Sequence, residues 1–289
     1  MSRDEPLVAE GLGKRYTRGW ALEHCSLRVP AHRVVALVGP NGAGKTTLMS
    51  LATGMLRPTA GRVRIFGAEP DGRGTPAGMA FLGQQKSLYA GLSVADTLRM
   101  GRHLNPTWDQ PYAQQLVADA NVPLRAKVGT LSGGQRTRVA VAVALGKRPQ
   151  LILLDEPLAD LDPLARQDTV HTLMREAAQH GITVVLSSHV VAELQGVCDY
   201  LVLLGSGRVQ LVGGLDELLA EHIVLTGPDN HAVPVGGVVD VQDLRNGFVR
   251  VLARSGVPHL PHGWTTDRPS VEDLVLAYMR TGTRQAVAA

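Results

Sequence analysis

The segment Gly39-Pro40-Asn41-Gly42-Ala43-Gly44-Lys45-Thr46 constrains this chain more than any other. It follows the apolar run Arg33-Val34-Val35-Ala36-Leu37-Val38 and precedes a helical pattern over Thr46 to Met55. A buried strand must therefore turn into a helix through a glycine-rich loop. Glycines let successive backbone N–H groups converge, the helix start adds partial positive charge, and Lys45 is a compact cation. That chemistry suits the phosphates of a nucleotide, with the Thr46 hydroxyl available to Mg²⁺. Asn41, Gly42, Gly44, Lys45, Thr46 and Thr47 are the expected phosphate-binding residues. Lysine otherwise occurs only at positions 14, 86, 127 and 147, against a cation set made almost entirely of arginine, so Lys45 stands out.

Other short apolar runs, Leu151-Ile152-Leu153-Leu154 and Thr183-Val184-Val185-Leu186, read as strands buried on both faces of a mainly parallel sheet. Helical patterns follow them at Pro163 to His180 and His189 to Val197, which gives the alternation of an α/β core. Ala21 to Val29 and Arg62 to Phe66 alternate instead and predict an antiparallel β subdomain. A mostly helical insert is expected from about residue 94 to 144, broken at Asn105-Pro106 and Asn121-Val122-Pro123. Beyond Leu225, turn signals at Gly227-Pro228-Asp229-Asn230, Gly236-Gly237 and Asn246-Gly247 punctuate a small β-containing appendix. It ends in Val271, Leu274, Val275, Tyr278 and Met279 at helical spacing behind a Ser270/Asp273 cap. That helix either packs on its own domain or binds a partner.

Composition narrows the function classes. With 289 residues, 44% hydrophobic, 19% charged and a net charge of +3, the chain is globular, and the charge balance demands no nucleic-acid partner. Aromatics are only 4%, too few to supply base-stacking platforms. Cys25 and Cys198 have no ligand spacing and read as free thiols. No apolar run approaches the 18 to 20 residues that span a bilayer, so a cytoplasmic chain that reaches a membrane only through a partner is expected. His259-Leu260-Pro261-His262 lacks accompanying cysteines or carboxylates and reads as a proline-rich loop.

Two further motifs complete the chemistry. Asp155 and Glu156 end the run from Leu151, and the carboxyl end of a strand in an α/β sheet is where ligands bind. Asp155 falls on the Mg²⁺ side, and Glu156 is placed to polarise water attacking the γ-phosphorus. Leu131-Ser132-Gly133-Gly134-Gln135 opens a predicted helix over Gln135 to Leu145 and presents a second phosphate-binding helix start. With the phosphate loop and the intervening helical insert, this combination resembles the ATP-binding-cassette family over about Leu7 to Leu219.

The resemblance implies a P-loop NTPase core with an antiparallel β subdomain and helical insert over residues 1–222, leaving 223–289 as the appendix. It also implies ATP and Mg²⁺ as cofactors and a head-to-tail homodimer in which Ser132, Gly133, Gly134 and Gln135 of one subunit close on nucleotide held by the other. Residue by residue, Gln84 matches the glutamine that touches Mg²⁺ or the attacking water, preferred over Gln85 because Leu92-Ser93-Val94 then falls at the family's spacing. Asp162 matches the loop bridging the two sites, His189 the switch histidine at the γ-phosphate, and Tyr16 the aromatic under adenine, with Trp20 as competitor. Gly83, Ala90 and Thr137 depart from the family's usual residues, which touches the shape of the Gln84 loop.

The resemblance implies an ATPase at the cytoplasmic face of a membrane, driving separate transmembrane subunits. The surface from Gln85 to Leu92 would take the membrane partner, with Lys86, Leu88 and Tyr89 as a charge and two apolar anchors. The tail from Pro269 to Met279 is similar to the ends of bacterial drug, antibiotic and polysaccharide exporter subunits, which implies export. The rivals are a soluble relative acting on ribosomes or DNA and a nucleotide-gated regulatory subunit. The first would carry two cassettes or long coiled coils; the second would more naturally lack Glu156 or His189.

Overall fold

The computed structural model describes residues 4–159, 161–191, 196–229, 236–244, 247–254 and 262–287. In chain order, β1 (Leu7–Tyr16), β2 (Gly19–Val29) and β3 (Val34–Val38) lead into α1 (Lys45–Ala52), β4 (Ala60–Ile65) and β5 (Met79–Leu82). The insert holds α2 (Val94–Leu104), α3 (Gln110–Asp119), a 3-10 turn at Val128–Thr130 and α4 (Gly133–Gly146). The core resumes with β6 (Leu151–Leu154), α5 (Pro163–His180), β7 (Thr183–Ser188), β8 (Tyr200–Gly205), β9 (Arg208–Gly214) and α6 (Leu215–Ala220). The appendix comprises β10 (His222–Pro228), β11 (Val238–Asp243), β12 (Phe248–Arg254), β13 (Thr265–Asp267) and α7 (Val271–Val287).

The central sheet runs β5-β6-β7-β3-β8-β9 and is parallel except for β9, which pairs antiparallel with β8. Every residue of β3, β6 and β7 is buried, as strands covered on both faces require. Alternate side chains feed two cores. Val35, Leu37, Leu151, Leu153 and Val185 pack with α1 and the antiparallel sheet β2-β1-β4, whereas Ala36, Val38, Ile152, Leu154 and Leu186 pack with the insert helices. This layering sends the chain out of β3, β6 and β7 at one edge of the sheet, and the site is built there.

Helix ends follow local chemistry. Ser93 caps α2, Asp109 caps α3, and Asp162 with Pro163 starts α5, which stops at left-handed Gly181 (φ 63°). The first helix is shorter than its sequence pattern, ending at Ala52 rather than Met55, because Gly54 turns the chain at φ 76° and leaves Met55 exposed. The helix expected over His189 to Val197 falls partly outside the described residues, at 192–195. The His259 to His262 loop does so as well, apart from His262 itself.

The appendix sheet runs β11-β12-β10-β13. Leu274, Val275 and Ala277 of α7 are buried in the same core as Leu211 and Leu218, so α7 packs on the β9 and α6 edge as well as on the appendix. Both cysteines are free and buried. Among the described residues no helix is long and apolar enough to cross a membrane.

Candidate active site

The loop between β3 and α1 owes its path to two glycines. Gly39 has φ 159°, and a Cβ there would lie 2.3 Å from the Leu204 carbonyl oxygen. At Gly44, with φ 103°, a Cβ would lie 2.5 Å from Leu22 Cδ2 and 2.6 Å from the Ala21 carbonyl oxygen. Both positions therefore exclude any side chain, on space and, at Gly44, on backbone conformation. The loop leaves Asn41 and Gly42 exposed and opens α1 at Lys45, Thr46 and Thr47, whose N–H groups have no intrahelical acceptor.

Lys45 is buried, and its Nζ donates to the carbonyls of Gly39 (2.6 Å) and Pro40 (3.3 Å) while lying 3.5 Å from Glu156 Oε1. The Thr46 hydroxyl donates to Asp155 Oδ2 at 2.7 Å, joining residues 109 positions apart in the chain. Glu156 holds a left-handed backbone at φ 49°, a strained conformation for a non-glycine residue. Its other carboxylate oxygen meets His189 Nδ1 at 2.7 Å. One glutamate is thus gripped by Lys45 from the loop and by His189 from the end of β7.

A residue the sequence reading passed over holds this arrangement. Ser187 Oγ donates to Asp155 Oδ1 (2.7 Å) and accepts from the Glu156 N–H (2.8 Å), all buried. The available signal was a serine pair ending an otherwise apolar strand. The neighbouring Ser188 accepts from Val190 N–H at 2.9 Å and shapes the turn that carries His189.

Gln84 and Gln85 form the turn after β5, and both line a cavity of about 540 Å³ shared with Thr46 and Asp155. Lys147 lines it too, donating to Met79 O at 3.1 Å, and burial lowers its pKa. Lys86, read from sequence as a surface charge, is buried at φ 45° and faces this cavity. Tyr89 is 66% exposed, and Leu88 packs partly against the main core. Among the described residues no cluster of three or more His, Cys, Asp or Glu could hold a metal ion. Thr46 Oγ1 and Asp155 Oδ2 still offer two adjacent hard oxygens, which fits a cation delivered with phosphate oxygens rather than one caged by protein.

Ser132, Gly133, Gly134 and Gln135 are not part of that cavity. Ser132 caps α4 in a reciprocal capping box, accepting from Gln135 N–H (3.2 Å) and donating its own N–H to Gln135 Oε1 (3.1 Å). Ser132 and Gly133 are exposed. Asp162 likewise caps α5 by accepting from Ala165 N–H at 2.9 Å. Tyr16, at the end of β1, is 46% exposed with Lys14 Nζ 5.6 Å from its ring centroid; Trp20, 41% exposed, lies against Gly13. Both aromatics are open to solvent, so exposure does not separate them.

Residues 22–159 match the ABC transporter family model. The chain is 34% identical over 229 residues to the lipopolysaccharide export system ATP-binding protein LptB of Acidithiobacillus ferridurans, covering 76% of this chain and 95% of that protein. It is 36% identical over 219 residues to the thiamine import ATP-binding protein ThiQ of Vibrio parahaemolyticus, covering 72% and 92%. A solved structure of the ATP binding subunit of an ABC transporter superposes with a TM-score of 0.66 at 27% identity, covering 74% of this chain and 92% of the other. Such coverage spans the phosphate loop, the Asp155-Glu156 strand end and the Ser132 helix start together. The chain belongs to the ATP-binding subunits of ABC transporters, a family of ATPases.

Proposed function

We propose that two copies of this chain close head to tail on two ATP molecules and so drive separate transmembrane subunits, moving a substrate outward from the cytoplasmic face. The observation that carries this reading is the separation of two helix starts whose free N–H groups suit phosphate. The α1 start converges with Asp155, Glu156 and His189, whereas the α4 start at Ser132 stands apart and exposed. A second copy would supply the missing α4 face to each nucleotide.

In this mechanism the loop amides and Lys45 bind the β- and γ-phosphates, Lys45 exchanging its carbonyl acceptors for phosphate oxygens. Thr46, Asp155 and Gln84 would hold Mg²⁺, which when bound neutralises charge on the phosphate oxygens. Glu156 takes a proton from water as the water oxygen attacks the γ-phosphorus and ADP departs. His189 fixes the orientation of that carboxylate and lies beside the γ-phosphate, Tyr16 stacks on adenine, and Asp162 stands where the two subunits meet. Residues 1–222 form this motor and 223–289 an appended unit.

The outward direction rests on the tail's similarity to exporter subunits, since the relatives named above include one export and one import protein. The test is purification from membranes together with transport into inverted vesicles. Recovery with a multi-span protein and ATP-driven uptake that Lys45→Ala abolishes are expected; recovery with ribosomes or no membrane partner contradicts the reading.

A further inference from the structure

Arg148 ends α4 in a conformation that arginine ordinarily avoids. It follows the C-cap Lys147 at φ 52°, the left-handed position where helices commonly carry glycine. An arginine kept there bears backbone strain that its side chain must offset. The guanidinium donates twice to Asp109 Oδ2, from Nε at 3.0 Å and Nη2 at 2.8 Å, and its Cζ stacks 3.5 Å above the Tyr112 ring. Asp109 in turn caps α3 and donates its N–H to the Gly146 carbonyl at the end of α4.

The far side of this cluster belongs to the core. Tyr112 buries its hydroxyl beside Glu176 of α5, and desolvation, reinforced by that carboxylate, raises the phenol's pKa. Glu176 is 2% exposed and lies 3.0 Å from His180 Nδ1, and Arg148 Nη1 reaches His180 Nε2 at 3.5 Å. Arg148 therefore sits where α3, α4 and α5 meet, tying the insert to the core.

We infer that Arg148 is a positioning residue for ATP hydrolysis, setting the angle of α4 so that Ser132 to Gln135 at its other end meet the nucleotide of a second copy. This rests on the two-copy reading above. The 14 residues of α4 span about 21 Å, so a pivot of about 10° at Arg148 displaces the Ser132 end by ~4 Å. That exceeds the tolerance of any hydrogen bond to phosphate.

Arg148→Gly separates positioning from folding, because glycine relieves the backbone strain while removing every side-chain contact. The measurements are thermal midpoint, affinity for a fluorescent ATP analogue under dilute monomeric conditions, and the protein concentration giving half-maximal ATP-dependent closure in a Glu156→Gln background. The expected result is an unchanged or higher midpoint, affinity within about twofold, and a closure concentration raised at least tenfold, with Arg148→Lys intermediate. An unaltered closure concentration in Arg148→Gly overturns the inference. A lowered midpoint with a matching loss of nucleotide binding also overturns it, by making Arg148 a fold-holding residue. If the Glu156→Gln chain with Arg148 intact fails to close, the two-copy reading falls first and this inference with it.

Discussion

Removing the Ser187 hydroxyl tests how the site keeps its strained glutamate in place. Ser187→Ala leaves the buried Glu156 N–H without its 2.8 Å acceptor and deprives Asp155 of a 2.7 Å donor. Ser187 is 2% exposed, so water does not step in. An orphaned buried donor costs about 1–3 kcal/mol, and the total loss should be about 2 kcal/mol, a fall of roughly 4 °C in Tm for a chain of this size. The larger effect falls on chemistry, because Glu156 is then free to leave φ 49° and release its line to His189 and Lys45. Steady-state ATPase should drop at least tenfold in kcat while nucleotide affinity changes less than about threefold, since the loop and Lys45 are untouched. Thr169→Val supplies the control: it removes another hydroxyl at 2% exposure, bonded to Ala165 O within α5, and should lower Tm without lowering kcat. A folded Ser187→Ala protein with unaltered turnover refutes the argument.

Two further outcomes follow from named contacts. Tyr16→Ala should weaken ATP binding without abolishing turnover, and a loss seen instead in Trp20→Ala, read by the same binding titration, transfers the adenine platform to Trp20. The Asp109 carboxyl is held below the usual carboxylate range by the Tyr112 N–H it accepts and by Arg148. Because the folded value lies below the unfolded one, its stabilisation is present above about pH 4 and fades as pH falls through the folded value. The side chain is 34% exposed, so its share is below about 1 kcal/mol. Urea unfolding should show Asp109→Asn less stable at pH 7 and less sensitive to acid below pH 4.

What the sequence makes legible here is local. A glycine loop between a buried run and a helix, the helix start at Ser132, the Ser270/Asp273 cap and the carboxylates ending β6 each depend on neighbours in the chain. Site residues emerged because the ends of parallel strands fall at one edge of the sheet. Contacts between distant segments did not: Ser187 bridging Asp155 and Glu156, and the left-handed turns at Glu156 and Arg148, leave no periodic trace. Lys86 misled because a lysine in a polar stretch reads as solvated, yet the turn at φ 45° folds it inward. The terminal helix showed its apolar stripe plainly, while the joint core it forms with Leu211 and Leu218 depends on the β8–β9 hairpin presenting an edge.

The central claim, that Glu156 activates water within a site completed by a second copy, meets its most direct test in Glu156→Gln at saturating ATP and Mg²⁺. The amide keeps the shape and removes the base, so ATP should stay bound and light scattering should report a stable dimer of this chain that dissociates when nucleotide is withdrawn. Release of radiolabelled phosphate should fall by a factor of about a hundred or more. A Glu156→Gln protein that binds ATP yet stays strictly monomeric, or one that hydrolyses ATP at the rate of the unaltered chain, contradicts the account.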